Sequence, residues 1–361
     1  MTRIGLAGLL LVVGCGGGAG DGDGGNATDD AATGAADATG EGGRDAGPDA
    51  GVDCSRELFP AVESGGARAI AVDDARVYAV TGHTGEVHIW SIDPIEGGGE
   101  LLATLPLGGA ERLVFDDDSL YIAGNYSGYE GLFRVAKDGG GEPERVSADP
   151  VTRLALDETH VYWMADGPLS GDEQAIKRRA KAGGEEELLV EGEAEIGGDA
   201  EMAVLGDHVY WNDDIHLRRK PKAGGTAEVF DYLGPEGARG SCEFCLDEMV
   251  AADDGRLYWY DRADRTFFYR TGTAAFEREL LSADSSSAVS NDRPIFVLDG
   301  QIYWSSWSAR YEIGRAPTAG GETTAISTGE YVHVFYPTPA GIYVASLAGQ
   351  VRLVPLDGCP E

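Results

Sequence analysis

The residue types that most often carry catalysis are sparse in this chain and stand at no recognised spacing. Six histidines occur, and none forms the metal-binding HExxH pattern. The serine-nucleophile motif GxSxG and a phosphate loop ending in GK[ST] are both missing. His160 and His208 each precede Val-Tyr-Trp, which indicates equivalent turn residues of two repeats. The sequence therefore predicts no catalytic residue.

Carboxylates, aromatics and an amide in the longer connecting segments are the next candidates for a ligand site. Function concentrates in such loops, and carboxylates gathered around one opening could bind Ca²⁺. In so acidic a chain, solvated loop charge is the favoured alternative. The candidates are Asn125, Tyr126, Tyr129, Asp166, Asp213, Asp214 and Asp261.

The cysteines suggest lipid attachment and disulfides rather than redox chemistry. Of the five, Cys15 lies near the start, which leaves an even four, as an oxidising compartment favours. Cys242 and Cys245 form a CxxC, which fits a redox pair, half of a zinc site or a local disulfide. We favour the disulfide, because neither a helix start nor a second cysteine pair accompanies the motif.

The first residues have the layout of an export signal. Residues 1–14 place Arg3 before an apolar stretch that is too short to be a stable membrane anchor. Val12-Val13-Gly14-Cys15 resembles the bacterial lipobox, which implies cleavage before Cys15 and its acylation; an ordinary signal peptide is the alternative. The sorting rules of such lipoproteins imply the outer membrane, since Gly16 and not Asp follows the cysteine.

Residues 15–53 are composed mainly of Gly, Ala and Asp. Such a segment cannot bury enough apolar surface to offset its ordering entropy, so it is predicted to be a disordered tether. The whole chain carries 62 acidic against 28 basic residues, a net charge of −34. This charge excludes a nucleic-acid-binding face and electrostatic docking on anionic lipid.

The rest of the chain, residues 54–361, repeats one sequence motif seven times. The motif begins with an apolar residue, which an acidic residue usually follows. A turn comes next, and then an aliphatic-Tyr pair that Trp often follows. A second motif follows, in which apolar and polar residues alternate before a Gly-Gly turn. The tyrosines recur every 40 to 48 residues, at Tyr78, Tyr121, Tyr162, Tyr210, Tyr258, Tyr303 and Tyr343. Each unit predicts four short strands, which is typical of a β-propeller blade. The fold class is therefore all-β, a seven-bladed propeller with the repeated Tyr and Trp packed between blades.

The last unit predicts three strands, and an orphan strand stands before the first unit at 57–62. We expect this strand to complete the seventh blade as its outer edge, where Pro60 is tolerated. Cys54 and Cys359 then flank the point of closure, and a Cys54–Cys359 disulfide would secure it.

The repeat is similar to the YWTD repeat of low-density-lipoprotein-receptor-type propellers over roughly residues 66–358. It departs from that repeat because Thr-Asp does not follow the Trp, as in Trp163-Met164, and because that family has six blades. The whole chain also resembles tethered propeller lipoproteins of delta-proteobacteria, since 23 Arg against 5 Lys fit a high-GC genome.

Two functions remain open at this point. The first is a membrane-tethered scaffold or binding module outside the cytoplasm, which recognises a protein, peptide or glycan of the cell envelope. The second is a propeller enzyme, such as a lyase, lactonase or quinoprotein, with a metal or quinone at the central channel. The sequence calls for no cofactor, with Ca²⁺ as the one candidate ion.

Overall fold

The computed structural model contains 28 strands and no helix in the part of the chain that it describes. That part comprises residues 55–60, 66–83, 85–110, 112–166, 174–191, 196, 200–213, 216–232, 246–261, 266–271, 279–282, 294–305, 312–329 and 331–357. The proposed signal peptide and tether lie outside these residues.

The strands are short, as expected for a protein with a tight turn after almost every strand. In chain order they are β1 (Arg56–Phe59), β2 (Ala67–Val72), β3 (Val77–His83), β4 (Glu86–Ile92), β5 (Gly99–Leu105), β6 (Arg112–Phe115), β7 (Ser119–Gly124), β8 (Gly131–Ala136), β9 (Glu144–Ser147), β10 (Val151–Leu156), β11 (His160–Ala165), β12 (Ala175–Ala180), β13 (Glu187–Val190), β14 (Met202–Leu205), β15 (His208–Asn212), β16 (His216–Pro221), β17 (Glu228–Tyr232), β18 (Leu246–Ala251), β19 (Arg256–Asp261), β20 (Thr266–Thr271), β21 (Glu279–Ser282), β22 (Phe296–Leu298), β23 (Gln301–Ser305), β24 (Glu312–Pro317), β25 (Thr324–Ser327), β26 (Val334–Thr338), β27 (Gly341–Ala345) and β28 (Val351–Val354).

These strands form seven four-stranded antiparallel sheets, which confirms the predicted seven-bladed β-propeller. In order from the innermost strand outward, the blades are blade 1 (β2–β5), blade 2 (β6–β9), blade 3 (β10–β13), blade 4 (β14–β17), blade 5 (β18–β21), blade 6 (β22–β25) and blade 7 (β26, β27, β28, β1). The innermost strands of neighbouring blades contact one another around the ring, including β26 with β2.

Blade 7 closes the ring as the sequence predicts. Strand β1 pairs antiparallel with β28, with Arg56 opposite Leu353. The strand covers 56–59 rather than the expected 57–62, and Pro60 follows directly after its last residue. The closure also reaches blade 1, because Leu58 accepts a hydrogen bond of 2.8 Å from the Gly98 amide. Pairing β1 with β28 gives blade 7 its fourth strand, so that the first and last parts of the ring are joined within one sheet and β1 forms the outer edge of that blade.

The repeated aromatic residues fill the spaces between blades, as predicted. The Tyr of one blade shares a buried apolar cluster with the Trp of the next blade. The pairs are Tyr121 with Trp163, Tyr162 with Trp211, Tyr210 with Trp259, and Tyr258 with Trp304. All eight side chains are almost completely buried. Because aromatic side chains bury the largest apolar areas, these clusters are a principal source of cohesion between blades.

The Gly-Gly pairs of the repeat form the turns between third and fourth strands. Gly183 and Gly184 have φ values of +95° and +126°, a region that residues with a Cβ rarely adopt. The Gly183 amide donates to the carbonyl of Ala180 at 2.9 Å, which closes the turn. The glycines are therefore explained by turn geometry rather than by phosphate binding.

Candidate functional site

The two ends of the propeller carry different connections. We call one the turn end: it holds the turns between first and second strands and between third and fourth strands, such as 157–159 and 181–186. The other is the loop end, with the connections between second and third strands and between blades, such as 125–130 and 148–150. The candidate ligand residues of the sequence all belong to the loop end.

At the turn end, an Asp, a Tyr and a Lys meet between neighbouring blades. Asp157 Oδ2 of blade 3 accepts hydrogen bonds from the Tyr162 hydroxyl at 2.6 Å and from Lys222 Nζ of blade 4 at 2.7 Å. We call such groups Asp–Tyr–Lys contacts. The other two are Asp73, Tyr78 and Lys137 between blades 1 and 2, and Asp116, Tyr121 and Lys181 between blades 2 and 3.

The electrostatics of these contacts favour a structural role. Burial alone would raise the pKa of Asp157, but hydrogen bonds from Lys222 and Tyr162 outweigh it and hold that pKa well below its usual range. Burial, together with the adjacent carboxylate, raises the pKa of Tyr162 far above its ordinary value. In blade 5, burial and the Asp254 carboxylate raise the pKa of Tyr258 to about 12. At neutral pH the carboxylate is therefore charged and the phenol neutral.

An arginine of the second motif links the same blades in the opposite direction, from the earlier blade to the lysine of the next. Arg178 Nη1 of blade 3 donates to the carbonyl oxygen of Lys222 at 2.7 Å. Arg134 of blade 2 makes the same bond to the carbonyl of Lys181 at 3.0 Å. The spacing of Arg and Lys before Gly-Gly is thus explained by contacts between blades.

The loop end carries a row of buried or half-buried charges in or directly before the innermost strands of four consecutive blades. These residues are Arg112, Arg153, Glu201 and Glu248. Each stands two residues before the strand residue that pairs with the repeat Tyr, as Glu201 stands before Ala203, the partner of Tyr210. We call this row the charged arc.

Contacts along the charged arc pass from blade to blade. Arg112 Nε donates to the carbonyl of Thr152 at 2.6 Å, and Arg153 forms an ion pair with the carboxylate of Glu201. Within blade 4, the Glu201 amide donates to Asn212 Oδ1 at 2.6 Å. Only 1% of Glu201 is exposed, so its charge depends on Arg153 for compensation.

The sequence analysis missed the charged arc. Part of the signal was present, because Arg112, Arg153 and Glu201 each stand nine residues before the repeat Tyr of their blade; Glu248 stands ten residues before Tyr258, since the first turn of blade 5 is one residue longer. The remaining blades hold Ala69, Pro294 and Val334 there. The sequence analysis did not single out this position, because one charged residue beside a predicted strand is ordinarily interpreted as exposed to solvent.

Two predicted candidates, Asp213 and Asp261, differ from the solvated loop charges that we favoured. They end the second strands of blades 4 and 5 or follow directly, and they are 7% and 0% exposed. Asp213 Oδ2 accepts from Arg218 Nε at 2.6 Å and lies 2.9 Å from His216 Nδ1. The Arg218 guanidinium compensates for the burial of the Asp213 carboxylate.

Three other candidates form an exposed and well-anchored loop in blade 2. Tyr126 and Tyr129 are 53% and 42% exposed, and the Tyr129 carbonyl accepts from the Gly108 amide at 2.9 Å. A Cβ on Gly85 would lie 2.9 Å from the Tyr129 ring, so glycine permits the ring to rest on blade 1. Asn125 is exposed beside them, with its Oδ1 close to Gly109. This loop presents two aromatic faces to solvent.

The remaining predicted residues are distributed as follows. Asp166 is half-buried and accepts a hydrogen bond of 2.7 Å from Gln174. Asp214 and all five cysteines, Cys15, Cys54, Cys242, Cys245 and Cys359, lie outside the described residues. Both disulfides and the lipid attachment therefore stay predictions.

The described residues contain no group of three or more His, Cys, Asp or Glu side chains arranged to hold a metal ion. They also contain no apolar helix of membrane-spanning length.

No family model matches the sequence, and no curated protein matches it. Solved structures do match. A catalytically inactive variant of virginiamycin B lyase from Staphylococcus aureus, with quinupristin, has a TM-score of 0.62 at 14% identity over 82% of this chain and 97% of that one. YCF48 bound to D1 peptide has a TM-score of 0.54 at 14% identity, covering 84% and 96% of the two chains. The extracellular domain of a putative hybrid two-component system from B. thetaiotaomicron has a TM-score of 0.55 at 10% identity, covering 83% and 39%.

At these identities the likeness shows the fold, and it agrees with the seven blades seen here. The class of the described part is thus a seven-bladed β-propeller. The fold alone does not decide what the protein binds or catalyses.

Proposed function

We propose that this chain is a binding propeller, anchored by lipid at Cys15 in a bacterial cell envelope, that recognises a protein or peptide at its loop end. The anchor and the outer-membrane location rest on residues 1–16 and on the Gly, Ala and Asp tether. The membrane is reached through the lipid alone, since the strongly acidic chain would be repelled by anionic headgroups.

The observation that carries the proposal is the difference between the two ends. At the turn end, the repeated side chains bond to neighbouring blades. At the loop end, one strand position changes from Arg to Glu around the ring, and Tyr126 and Tyr129 lie exposed nearby along the chain. Two exposed aromatic rings on an anchored loop suit a polypeptide partner, since aromatic anchors dominate the binding energy of protein interfaces. YCF48, a propeller of similar shape, was solved with a peptide bound.

Site-specific photo-crosslinking in cells tests which end binds. A benzoylphenylalanine at Tyr126 should give a discrete covalent adduct with an envelope protein. The matched control places the same group at Glu142, which is also exposed in blade 2 but belongs to the turn end. Equal adducts from both positions, or adducts from Glu142 alone, would contradict recognition at the loop end.

Anchoring is tested separately by fractionation. The Cys15→Ser protein should lose incorporation of labelled palmitate and leave the membrane fraction, with unchanged unfolding of the propeller. If Cys15→Ser stays in the membrane fraction to the same extent, the lipid anchor is wrong while recognition at the loop end is unaffected.

A second candidate function is a lyase-type enzyme, and the contact between His216 and Asp213 is the observation that favours it. A carboxylate 2.9 Å from Nδ1 orients an imidazole for acid–base chemistry. The compared lyase is bound to quinupristin, so this compound is a direct substrate to try. Turnover of quinupristin by the wild-type protein, abolished in His216→Ala, would favour the enzyme, and a lack of turnover would favour the binding module.

A further inference from the structure

The turn end contains a pocket between blades 6 and 7, at the position where Asp–Tyr–Lys contacts occur elsewhere. Its volume is about 390 Å³, and its lining includes Asp299, Tyr303, Arg315, Glu322 and Leu356. This site is at the opposite end from the proposed recognition surface.

Leu356 occupies the backbone position that a lysine holds in other blades. Arg315 Nη1 donates to the Leu356 carbonyl at 3.3 Å. Arg178 makes the same bond to the carbonyl of Lys222. The arginines are themselves equivalent, because Arg315 pairs with Tyr303 across the sheet as Arg178 pairs with Tyr162. The pocket is therefore an interface between blades from which the lysine side chain is missing.

The place of the missing ammonium group follows from the complete contacts. Lys222 Nζ lies 2.7 Å from Asp157 Oδ2 and 5.9 Å from the centre of the Tyr162 ring. Between blades 6 and 7, Leu298 has the place of Asp157, five residues before the repeat tyrosine, Tyr303. The next residue, Asp299, supplies the carboxylate that lines the pocket. A carboxylate and an aromatic ring thus remain beside the space that an ammonium would fill.

The charge of the pocket also favours a cation. Asp299 and Glu322 supply two carboxylates against one guanidinium, Arg315. Within the described residues, neither carboxylate forms an ion pair, and the Arg315 Nε donates to Thr324 Oγ1 at 3.3 Å instead of to an acid. The complete interface of blades 3 and 4 is balanced by contrast, because Asp157 and Glu187 face Arg178 and Lys222. Removing one lysine from a balanced group leaves one negative charge.

We propose that this pocket binds a primary ammonium group on a short alkyl chain, with its nitrogen in the place that the lysine holds in the Asp–Tyr–Lys contacts. The chain of the ligand lies against Tyr303 and Leu356, and its ammonium faces Asp299. Free alkyl amines and exposed lysine side chains share this chemistry.

The test uses n-butylammonium, which reproduces the lysine side chain, with n-butanol as the neutral control of the same length. Ligand-observed NMR on the whole protein should show saturable binding of the amine at about 1 mM, a strength within reach of so few atoms. Asp299→Asn should weaken this binding about fivefold, as expected for a partly exposed ion pair. Equal binding of butanol and butylammonium would overturn the proposal.

Two variants exchange the occupant of the site. Leu356→Lys supplies the missing side chain, so this variant should no longer bind the amine. Amine binding by Leu356→Lys that equals binding by the wild-type protein overturns the proposal. Lys222→Leu removes a lysine from a complete interface and should create a second amine site of similar affinity, with a rise in Tm when butylammonium is added. Failure to gain this site counts against the equivalence, and Lys137→Leu gives the same test should Lys222→Leu not fold.

Discussion

The turn end and the loop end are built from the same seven repeats, yet they use charge in different ways. At the turn end, Asp, Tyr and Lys recur in the same geometry between blades 1 and 4. At the loop end, equivalent positions hold Arg112, Arg153, Glu201 or Glu248, and none of these contacts repeats. The polar contacts of the turn end join neighbouring blades in a way that several blades share, whereas the charged residues of the loop end differ from blade to blade.

The difference also appears within the turn end. The contact occurs at the three interfaces from blade 1 to blade 4. Leu356 replaces its lysine in blade 7, and Leu205 of blade 4 has the place that Asp157 has in blade 3, five residues before the repeat Tyr. The interfaces without the contact are still joined by aromatic clusters, such as the one containing Tyr258 and Trp304. Apolar packing is therefore the shared requirement, and the polar contact is an addition to it.

The largest expected effect is at the loop end. Glu201→Leu leaves the Arg153 guanidinium without its carboxylate in a buried site, and we expect a loss of about 3–5 kcal/mol in the free energy of unfolding. The double variant Arg153→Met with Glu201→Leu should recover most of this loss, because neither charge of the pair then remains. Urea unfolding measures both, and equal losses in the single and double variants would show that the pair is not the cause.

A smaller effect is expected from each lysine of the turn end. Lys222→Met removes a hydrogen bond to a half-buried carboxylate and should lower the free energy of unfolding by about 1–2 kcal/mol. Lys137→Met and Lys181→Met should give similar values, because each of these lysines also pairs with the carboxylate of a partly buried Asp. Glu142→Gln, an exposed change at the same end, should alter stability by less than about 0.5 kcal/mol. Three clearly unequal lysine effects would break the equivalence of the repeats.

The smallest effect concerns pH. The pKa values of Asp73, Asp116 and Asp157 are lowered in the folded protein despite their burial, chiefly by hydrogen bonds and charge from their lysines. The unfolded chain therefore takes up protons first, and the stabilisation present above about pH 4 is lost as pH falls through the lower folded values.

Lys137→Met in this contact should make the fall in stability below about pH 4 shallower, by about 1 kcal/mol over the transition. Chemical unfolding at a series of pH values from 5 down to 2 measures this slope. A slope identical to that of the wild-type protein would show that Asp73 owes its low pKa to other groups, such as its turn amides.

Much of the fold could be predicted because its signals are local. The alternation of apolar residues, the Gly-Gly turns and the spacing of the seven tyrosines each act within one blade. The strand before the first repeat was predicted for blade 7 because the last repeat lacked one, and β1 occupies that place. The charges of the loop end were harder to interpret, since Asp213 and Asp261 resemble loop residues in the sequence but are buried in the structure.

By itself, the sequence determined the number of blades, the order of their strands and the way in which the ring closes. These properties depend on period-two alternation and on turns, which involve residues close together in the chain. Only the tertiary structure decided which charges meet: Lys222 bonds to Asp157 across 65 residues, and Arg153 pairs with Glu201 of the next blade. Such contacts depend on the angle and distance between packed sheets, and those are set by the volumes of the aromatic side chains between them.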